Sequence, residues 1–193
     1  METSSDIHAR YPKELQSSDG RRFTIRLMEP DDFDKSAVLK FAKSLSEDDL
    51  LYLRTDITDP AVVAQWVDNL RSGHTTSVLA EVKNELVGYA SVHRDPARWT
   101  RDVGELRVNA SPQFRGVGVG RTLVAEAFSL GQALGLRKLC GMLTPDQTGA
   151  RTAFERLGFR VEALLQGWVR DRRGYTRDIL VMTYDLDGFT DQV

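Results

Sequence analysis

The residues best suited to chemistry lie in one short run, Gln113-Phe114-Arg115-Gly116-Val117-Gly118-Val119-Gly120-Arg121. Glycine at every second position costs backbone entropy in a helix or a strand alike, so the run exists for what its backbone can approach. Pro112 stands just before it, and Val119, Leu123, Ala127, Leu130 and Leu134 follow at helical spacing. A strand, a glycine turn and a helix N-terminus are therefore expected, with unpaired N–H groups and a helix dipole that favour an anion. Arg115 and Arg121 add positive charge, and the run reads as a pyrophosphate cradle. Spacing separates it from other phosphate loops. The dinucleotide fingerprint needs glycine where Arg121 stands, and the P-loop needs a Lys-Ser or Lys-Thr pair after its glycine. Arg115 to Gly120 fit R/Q-x-x-G-x-G/A instead.

The elements that must hold this loop follow from periodicity. Val103 to Asn109 is a strand leading into the turn, and the helix after it ends near Gly135. Leu139 to Leu143 is a strand, Thr148 to Leu157 a helix stopped by Gly158, and Val161 to Val169 and Ile179 to Leu186 a closing pair around Asp171-Arg172-Arg173-Gly174. Upstream, Phe23, Ile25 and Leu27 alternate as in a half-buried strand. Pro30-Asp31-Asp32 opens a helix with Phe33, Ala37, Val38, Phe41 and Leu45 on its apolar face. Asp59 caps a second, with Pro60 in its first turn and Val63, Trp66, Val67 and Leu70 buried. Ser77 to Val82 and Leu86 to His93 form strands joined by Lys83-Asn84-Glu85. Residues 1–21 read as a loosely held arm, 22–187 as a single domain and 188–193 as a tail. The order β-α-α-β-β-β-α-β-α-β-β predicts an α/β fold of the α+β kind, a central mixed twisted sheet flanked by helices.

Composition bounds the function. The 193 residues carry a net charge of −2, with 41% hydrophobic and 28% charged residues, as in an ordinary globular domain. That balance gives no electrostatic case for nucleic acid as a partner. Cys140 is the sole cysteine, which excludes an intrachain disulfide and any cysteine cluster for zinc. No apolar run reaches the roughly 20 residues of a membrane span, and the N-terminus lacks signal-peptide features. No membrane partner, no metal and a cytoplasmic location are the expectations. Nothing in the sequence requires or excludes a homodimer.

Beyond the glycine run, the order of elements over about residues 22–187 resembles the GCN5-related N-acetyltransferase (GNAT) family. Thr144-Pro145-Asp146-Gln147 and Phe154-Glu155-Arg156-Leu157-Gly158-Phe159 are similar to that family's second signature, with Gln147 where asparagine is usual and Phe154 where tyrosine is usual. Tyr11-Pro12, Asp19-Gly20 and Leu45-Ser46-x-x-Asp49-Leu50-x-Tyr52-Leu53-Arg54 look like bacterial protein-lysine acetyltransferases. The final hairpin, Gln166-Gly167-Trp168 to Met182, instead resembles small-molecule and amino-acid N-acetyltransferases.

The resemblance implies an N-acetyltransferase that moves an acetyl group from acetyl-CoA to a primary amine, with both substrates in one ternary complex. The amine acceptor, a protein lysine or a small molecule, stays open. A non-catalytic CoA-binding module is the alternative, resting on Phe154. Cofactor contacts are implied at Val108, Asn109 and Ala110, whose strand N–H groups face the thioester oxygen. They are also implied at Arg115, Gly116, Val117, Gly118, Val119, Gly120 and Arg121 in the loop, and at Gln147 and Phe154, the latter packing the pantetheine arm or the core. Glu105 is the candidate general base, and its apolar flanks are expected to raise its pKa toward neutrality. Its alternative is a strand glutamate paired with Arg107. His93 is the next candidate base, water or Tyr175 a substitute acid, and Cys140 a packing residue. Glu47, Asp48, Asp49, Asp56 and Asp59 are read either as an acidic lip for a cationic amine or as a solvated connection. Trp99 is expected to cover core surface, or else to line the acceptor mouth.

Overall fold

The computed structural model describes residues 3–51, 53–97 and 99–186; Tyr52 and the tail 188–193 lie outside them, as do the side chains of Phe33 and Asp48. The chain runs α1 (Ser4–His8), β1 (Lys13–Gln16), β2 (Arg22–Leu27), α2 (Asp32–Ser44), α3 (Glu47–Leu50), α4 (Pro60–Arg71), β3 (Thr75–Val82), β4 (Glu85–His93) and β5 (Val103–Ala110). A short 3-10 turn at Pro112–Phe114 leads to α5 (Val119–Ala133), β6 (Lys138–Leu143), α6 (Thr148–Arg156), β7 (Arg160–Arg170) and β8 (Thr176–Asp185). The strands make one mixed sheet in the order β1-β2-β3-β4-β5-β6-β8-β7. Only the β5–β6 junction is parallel among these pairings.

Alternation along the strands divides the core between the two sheet faces. Val78, Ala80, Val92, Leu106 and Leu139 pack with Leu123, Ala127 and Leu130 of α5 on one face. Leu79 and Tyr89 pack with Val38, Phe41, Val63 and Trp66 of α2 and α4 on the other. The second cover stops at β4, which leaves the same face of β5, β6 and β8 for other uses. Asp31 and Asp59 cap α2 and α4 through Asp34 N–H and Ala61 N–H.

Three local expectations are corrected. The arm is not loose: β1 pairs with β2, Ile7 is buried in the core, and Tyr11 and Lys13 both reach Glu126 on α5. A short, half-exposed edge strand carries almost no apolar alternation, so periodicity does not reveal it. The connection after α2 contains α3, closed by a reciprocal capping box between Ser46 and Asp49. Lys83 and Asn84 alone make the β3–β4 turn, with φ of 52° and 63°, so Glu85 already belongs to β4.

Candidate active site

Strand β5 stays paired with β4 as far as Ala110, and β6 stays paired with β8 as far as Leu143. Their mutual pairing runs only from Val103↔Lys138 to Leu106↔Gly141. Beyond that point the two strands part into a wedge, and the stretch Arg107 to Ala110 has no strand partner on its β6 side. Val108, Asn109 and Ala110 thus sit where unpaired backbone groups can meet a ligand.

The glycine turn lies at the mouth of this wedge. Gly116 and Gly118 hold φ of 75° and 99°, and Gly118 is the N-cap of α5. A Cβ built on Gly116, Gly118 or Gly120 meets nothing within 4 Å. The cradle is therefore open space beside bare backbone at a helix N-terminus, the arrangement a pyrophosphate requires. Val119 is fully buried and anchors the helix, so it can offer only backbone to a ligand. Arg115 pairs with Asp49, at 2.6 Å. Arg121 is exposed beside it.

Glu105 occupies one of the last paired positions before the wedge, opposite His93 on β4 and Cys140 on β6. Its Oε1 accepts from Arg107 Nε at 2.7 Å and also pairs with Arg54 from the connection between α3 and α4. Burial raises the Glu105 pKa, but the charge and hydrogen bond of Arg107 and the charge of Arg54 outweigh it, so the net shift is downward. The expected rise toward neutrality is corrected: the apolar neighbours in sequence mattered less than the two guanidinium groups. His93 is neutral, pushed down to about 4 by burial and by Arg107, while Thr75 Oγ1 holds its Nδ1. The Cys140 thiol is pushed up to about 11, first by burial and then by Glu105, which keeps it protonated and poorly nucleophilic.

Residues 46–51 and 53–59 form a strap tied by ion pairs to three other elements. Asp49 pairs with Arg115 of the glycine turn, Arg54 with Glu105 of β5, and Asp56 with Arg172 of the β7–β8 hairpin. The acidic-lip reading fails for most of its members. Asp49 is spent on its capping box and Arg115, Asp56 on Thr58 and Arg172, and Asp59 on the α4 cap. Between strap and hairpin lies a pocket of about 290 Å³. Leu53, Met142, Trp168 and Ile179 give it apolar walls; Arg54, Arg170 and Arg177 line it as cations, with Asp171 the single anion. A larger groove of about 740 Å³ along β2–β4 reaches Ser111 and Phe114; Glu105 lines neither cavity, and Arg54 is the residue that joins the smaller one to it.

Gln147 lines the smaller pocket and is the N-cap of α6; its Oε1 accepts from Thr144 N–H, which leaves its amide N–H₂ for other partners. Thr144 also lines the pocket, and its buried Oγ1 has no hydrogen-bond partner among the described residues. Phe154 lies in the core, edge-on to Phe159 and against Gly141, where any Cβ would fall 2.5 Å from its ring. Of its two expected places, the structure selects the core. Trp99 covers nothing, being 93% exposed, and Tyr175 stands exposed beside the hairpin turn. Arg54 and Arg170 are not marked as site residues by their spacing, since the pocket they line is built from elements far apart along the chain; Thr144 lies within the second signature but without an assigned role. Arg54 at least lies within the segment resembling protein-lysine acetyltransferases.

The comparisons agree with this geometry. An uncharacterized N-acetyltransferase of Methanocaldococcus jannaschii is 25% identical over 158 residues, covering 78% of this chain and 66% of that protein. The fold matches yncA of Salmonella typhimurium, solved with its cofactor acetyl-CoA, at a TM-score of 0.74 and 19% identity, covering 89% of this chain and 98% of that one. It also matches a ribosomal-protein-alanine N-acetyltransferase of Brucella melitensis at a TM-score of 0.73 and 24% identity, covering 84% and 99%. The model of the Acetyltransferase (GNAT) family matches residues 39–159, and with the wedge and the glycine turn inside that span, the chain belongs to the GNAT family.

Proposed function

We propose that this protein is an acetyl-CoA-dependent N-acetyltransferase whose acceptor is a small-molecule primary amine. The parting of β5 from β6, with the open glycine turn at its mouth and Glu105 just before it, carries the reading. Backbone N–H groups of Gly116 to Gly120 would hold the pyrophosphate, and Gln147 the pantetheine amides. Bound acetyl-CoA supplies the activated acetyl thioester. Backbone N–H groups around Val108 to Ala110 would stabilise charge developing on the carbonyl oxygen, each worth on the order of 3 kcal/mol.

Glu105 is the proton acceptor in this reading. An ordinary lysine-type amine has a pKa near roughly 10.4, so it must lose a proton before attack. The new C–N bond forms as the C–S bond breaks, and the amine proton passes to Glu105, directly or through water. A protonated Cys140 offers no acyl-enzyme route, which favours direct attack in a ternary complex. Small-molecule acceptance is supported by the pocket's modest volume and by the Asp56–Arg172 pair, which ties the strap to the hairpin, two of the elements that line the pocket.

Release of free CoA from acetyl-CoA with a panel of amines tests the reading. Turnover with at least one small amine, intersecting initial-rate lines and no stoichiometric acetylation of Cys140 are expected. Tight binding of acetyl-CoA without turnover on any amine would favour the non-catalytic CoA-binding module instead.

A further inference from the structure

We infer that the acceptor is an amine that also carries a carboxylate, an α-amino acid with an apolar side chain, and that Arg170 and Arg54 select it by binding that carboxylate. The inference rests on the proposed N-acetyltransferase reading and narrows its acceptor.

Charge bookkeeping around the pocket points this way. Three arginines line it against one aspartate. Asp171 is already committed: it accepts from Arg177 Nε at 2.9 Å and from the backbone N–H groups of Arg173 and Tyr175, which builds the hairpin turn. Arg177 is thereby neutralised. Arg170 has no ion-pair partner among the described residues, although it stands on the pocket wall. Arg54 is paired with Glu105, but Glu105 is shared with Arg107, so two guanidinium groups face one carboxylate there. The cleft is thus left with two cationic charges beyond its anions. A polyamine or an exposed lysine side chain would enter against that field, whereas a carboxylate would be drawn in. An arginine fork suits a carboxylate in particular, since it can donate two parallel hydrogen bonds.

The remaining walls specify the rest of the acceptor. Leu53, Met142, Trp168 and Ile179 are apolar and suit an aliphatic or aromatic side chain. Thr144 and Gln147 line the same pocket of about 290 Å³ and belong to the pantetheine arm in the proposed reading, so the space left beside the arginines suits only a small acceptor. Arg54 links binding to chemistry. A carboxylate that drew Arg54 toward Arg170 would take one cation from Glu105 and clear its oxygen for the amine. Charged and titratable groups facing Glu105 are then Arg107, His93 and Cys140, of which only Arg107 carries charge at neutral pH. With one cation fewer beside it, Glu105 becomes a stronger base.

The test compares L-leucine and L-phenylalanine with their amides, and with spermidine and a lysyl peptide, in steady-state assays on the full chain. The free acids are expected to exceed the amides at least about tenfold in kcat/KM, the loss of one charged hydrogen-bond partner. Intrinsic reactivity works the other way, because the amide's amine is the more easily deprotonated. Arg170→Gln should raise KM for leucine and shrink the acid-over-amide ratio toward one. Arg54→Gln should shrink the ratio too, and because it leaves Glu105 with one cation fewer whatever the acceptor, it should raise kcat for the amides toward that for the acids. Amides, spermidine or the lysyl peptide turning over as well as the acids would overturn the inference and leave N-acetylation standing. An acid-over-amide ratio unchanged in Arg170→Gln, with circular dichroism unaltered, would overturn the role of Arg170. Absence of turnover on every amine, with acetyl-CoA bound, would overturn the N-acetyltransferase reading as well.

Discussion

Around the glycine turn, the space beside Gly116, Gly118 and Gly120 is open, and the turn itself presents backbone with Arg121 exposed at its end. Across the wedge, Glu105 is gripped by Arg54 and Arg107, and the strap above it is tied by ion pairs to three separate elements. In the proposed reading, one side of the cleft would hold the pyrophosphate of acetyl-CoA with main-chain atoms. The other would meet the acceptor through side chains of the α3–α4 connection and the β7–β8 hairpin, each replaceable without touching the cradle. That division makes the acceptor side the place where electrostatics decide.

Glu105→Gln probes that side hardest. Turnover should fall about 10²–10⁴-fold with acetyl-CoA affinity little changed, as expected for a lost general base. The pH dependence has a definite sign. The folded Glu105 pKa lies below its ordinary 4.5, so the carboxylate is ionised throughout the neutral range. The acid limb of kcat/KM near neutrality should therefore belong to the acceptor amine, and Glu105 should add one only below about pH 4.5. Its stabilising contribution likewise is complete above 4.5 and lost as pH falls through the lower folded value. An enzyme limb near pH 6 to 7 that vanished in Glu105→Gln would show that the arginines do not control this carboxylate.

The cradle is broken by glycine substitutions, and two of them separate binding from folding. Gly118 has φ of 99°, so Gly118→Val should cost stability, about 1–3 kcal/mol, as well as acetyl-CoA affinity. Gly120 lies in the first turn of α5 at no positive φ and with no neighbour near its Cβ position. Gly120→Ala should leave the fold intact or gain roughly 0.5–1 kcal/mol of helix stability. Gly120→Val should nonetheless cut acetyl-CoA affinity at least about tenfold, roughly 1.4 kcal/mol, by filling the open space. Calorimetry showing wild-type affinity in a folded Gly120→Val protein would remove the pyrophosphate from this turn.

What could be read beforehand follows the same division. The cradle, the helix after it and the caps of α2 and α4 are local events, encoded in residues a few positions apart. The wedge is legible only through resemblance, since no spacing shows where β5 and β6 separate. The strap's ion pairs join Asp49 to Arg115, Arg54 to Glu105 and Asp56 to Arg172, and nothing in the spacing of a single sequence marks such distant partners. The downward Glu105 shift is half legible: Arg107, its stronger partner, stands two residues away, whereas Arg54 is distant. The edge strand β1 escaped notice because half-exposed polar residues make up most of it.

Asp49 stands where the two regions meet, and its removal should have opposite effects on stability and binding. Asp49→Asn weakens the α3 capping box and should cost about 1 kcal/mol. It also removes the carboxylate that pairs with Arg115. If the freed guanidinium turns to the pyrophosphate, affinity for acetyl-CoA should rise about two- to fivefold, the value of a partly exposed ion pair. A fall in affinity would mean that the Asp49–Arg115 pair shapes the turn and does not compete with the ligand.

The smallest effect is expected at Thr144, which lines the pocket between cradle and acceptor side. Its buried Oγ1 has no partner among the described residues, whereas the neighbouring Thr144 N–H is satisfied by Gln147. An unmade buried hydrogen bond costs about 1–3 kcal/mol, so deleting the hydroxyl removes a penalty instead of a bond. Thr144→Val keeps the shape of the side chain and should leave the free protein as stable as wild type, or more stable by up to about 1 kcal/mol. Urea denaturation measures this directly. The same variant reports on the ligand: if a pantetheine amide satisfies Oγ1 in the complex, acetyl-CoA should stabilise Thr144→Val less than wild type at equal concentration. A free protein destabilised by more than about 2 kcal/mol would instead reveal a protein partner for the hydroxyl and place Thr144 with the structural side chains of α6.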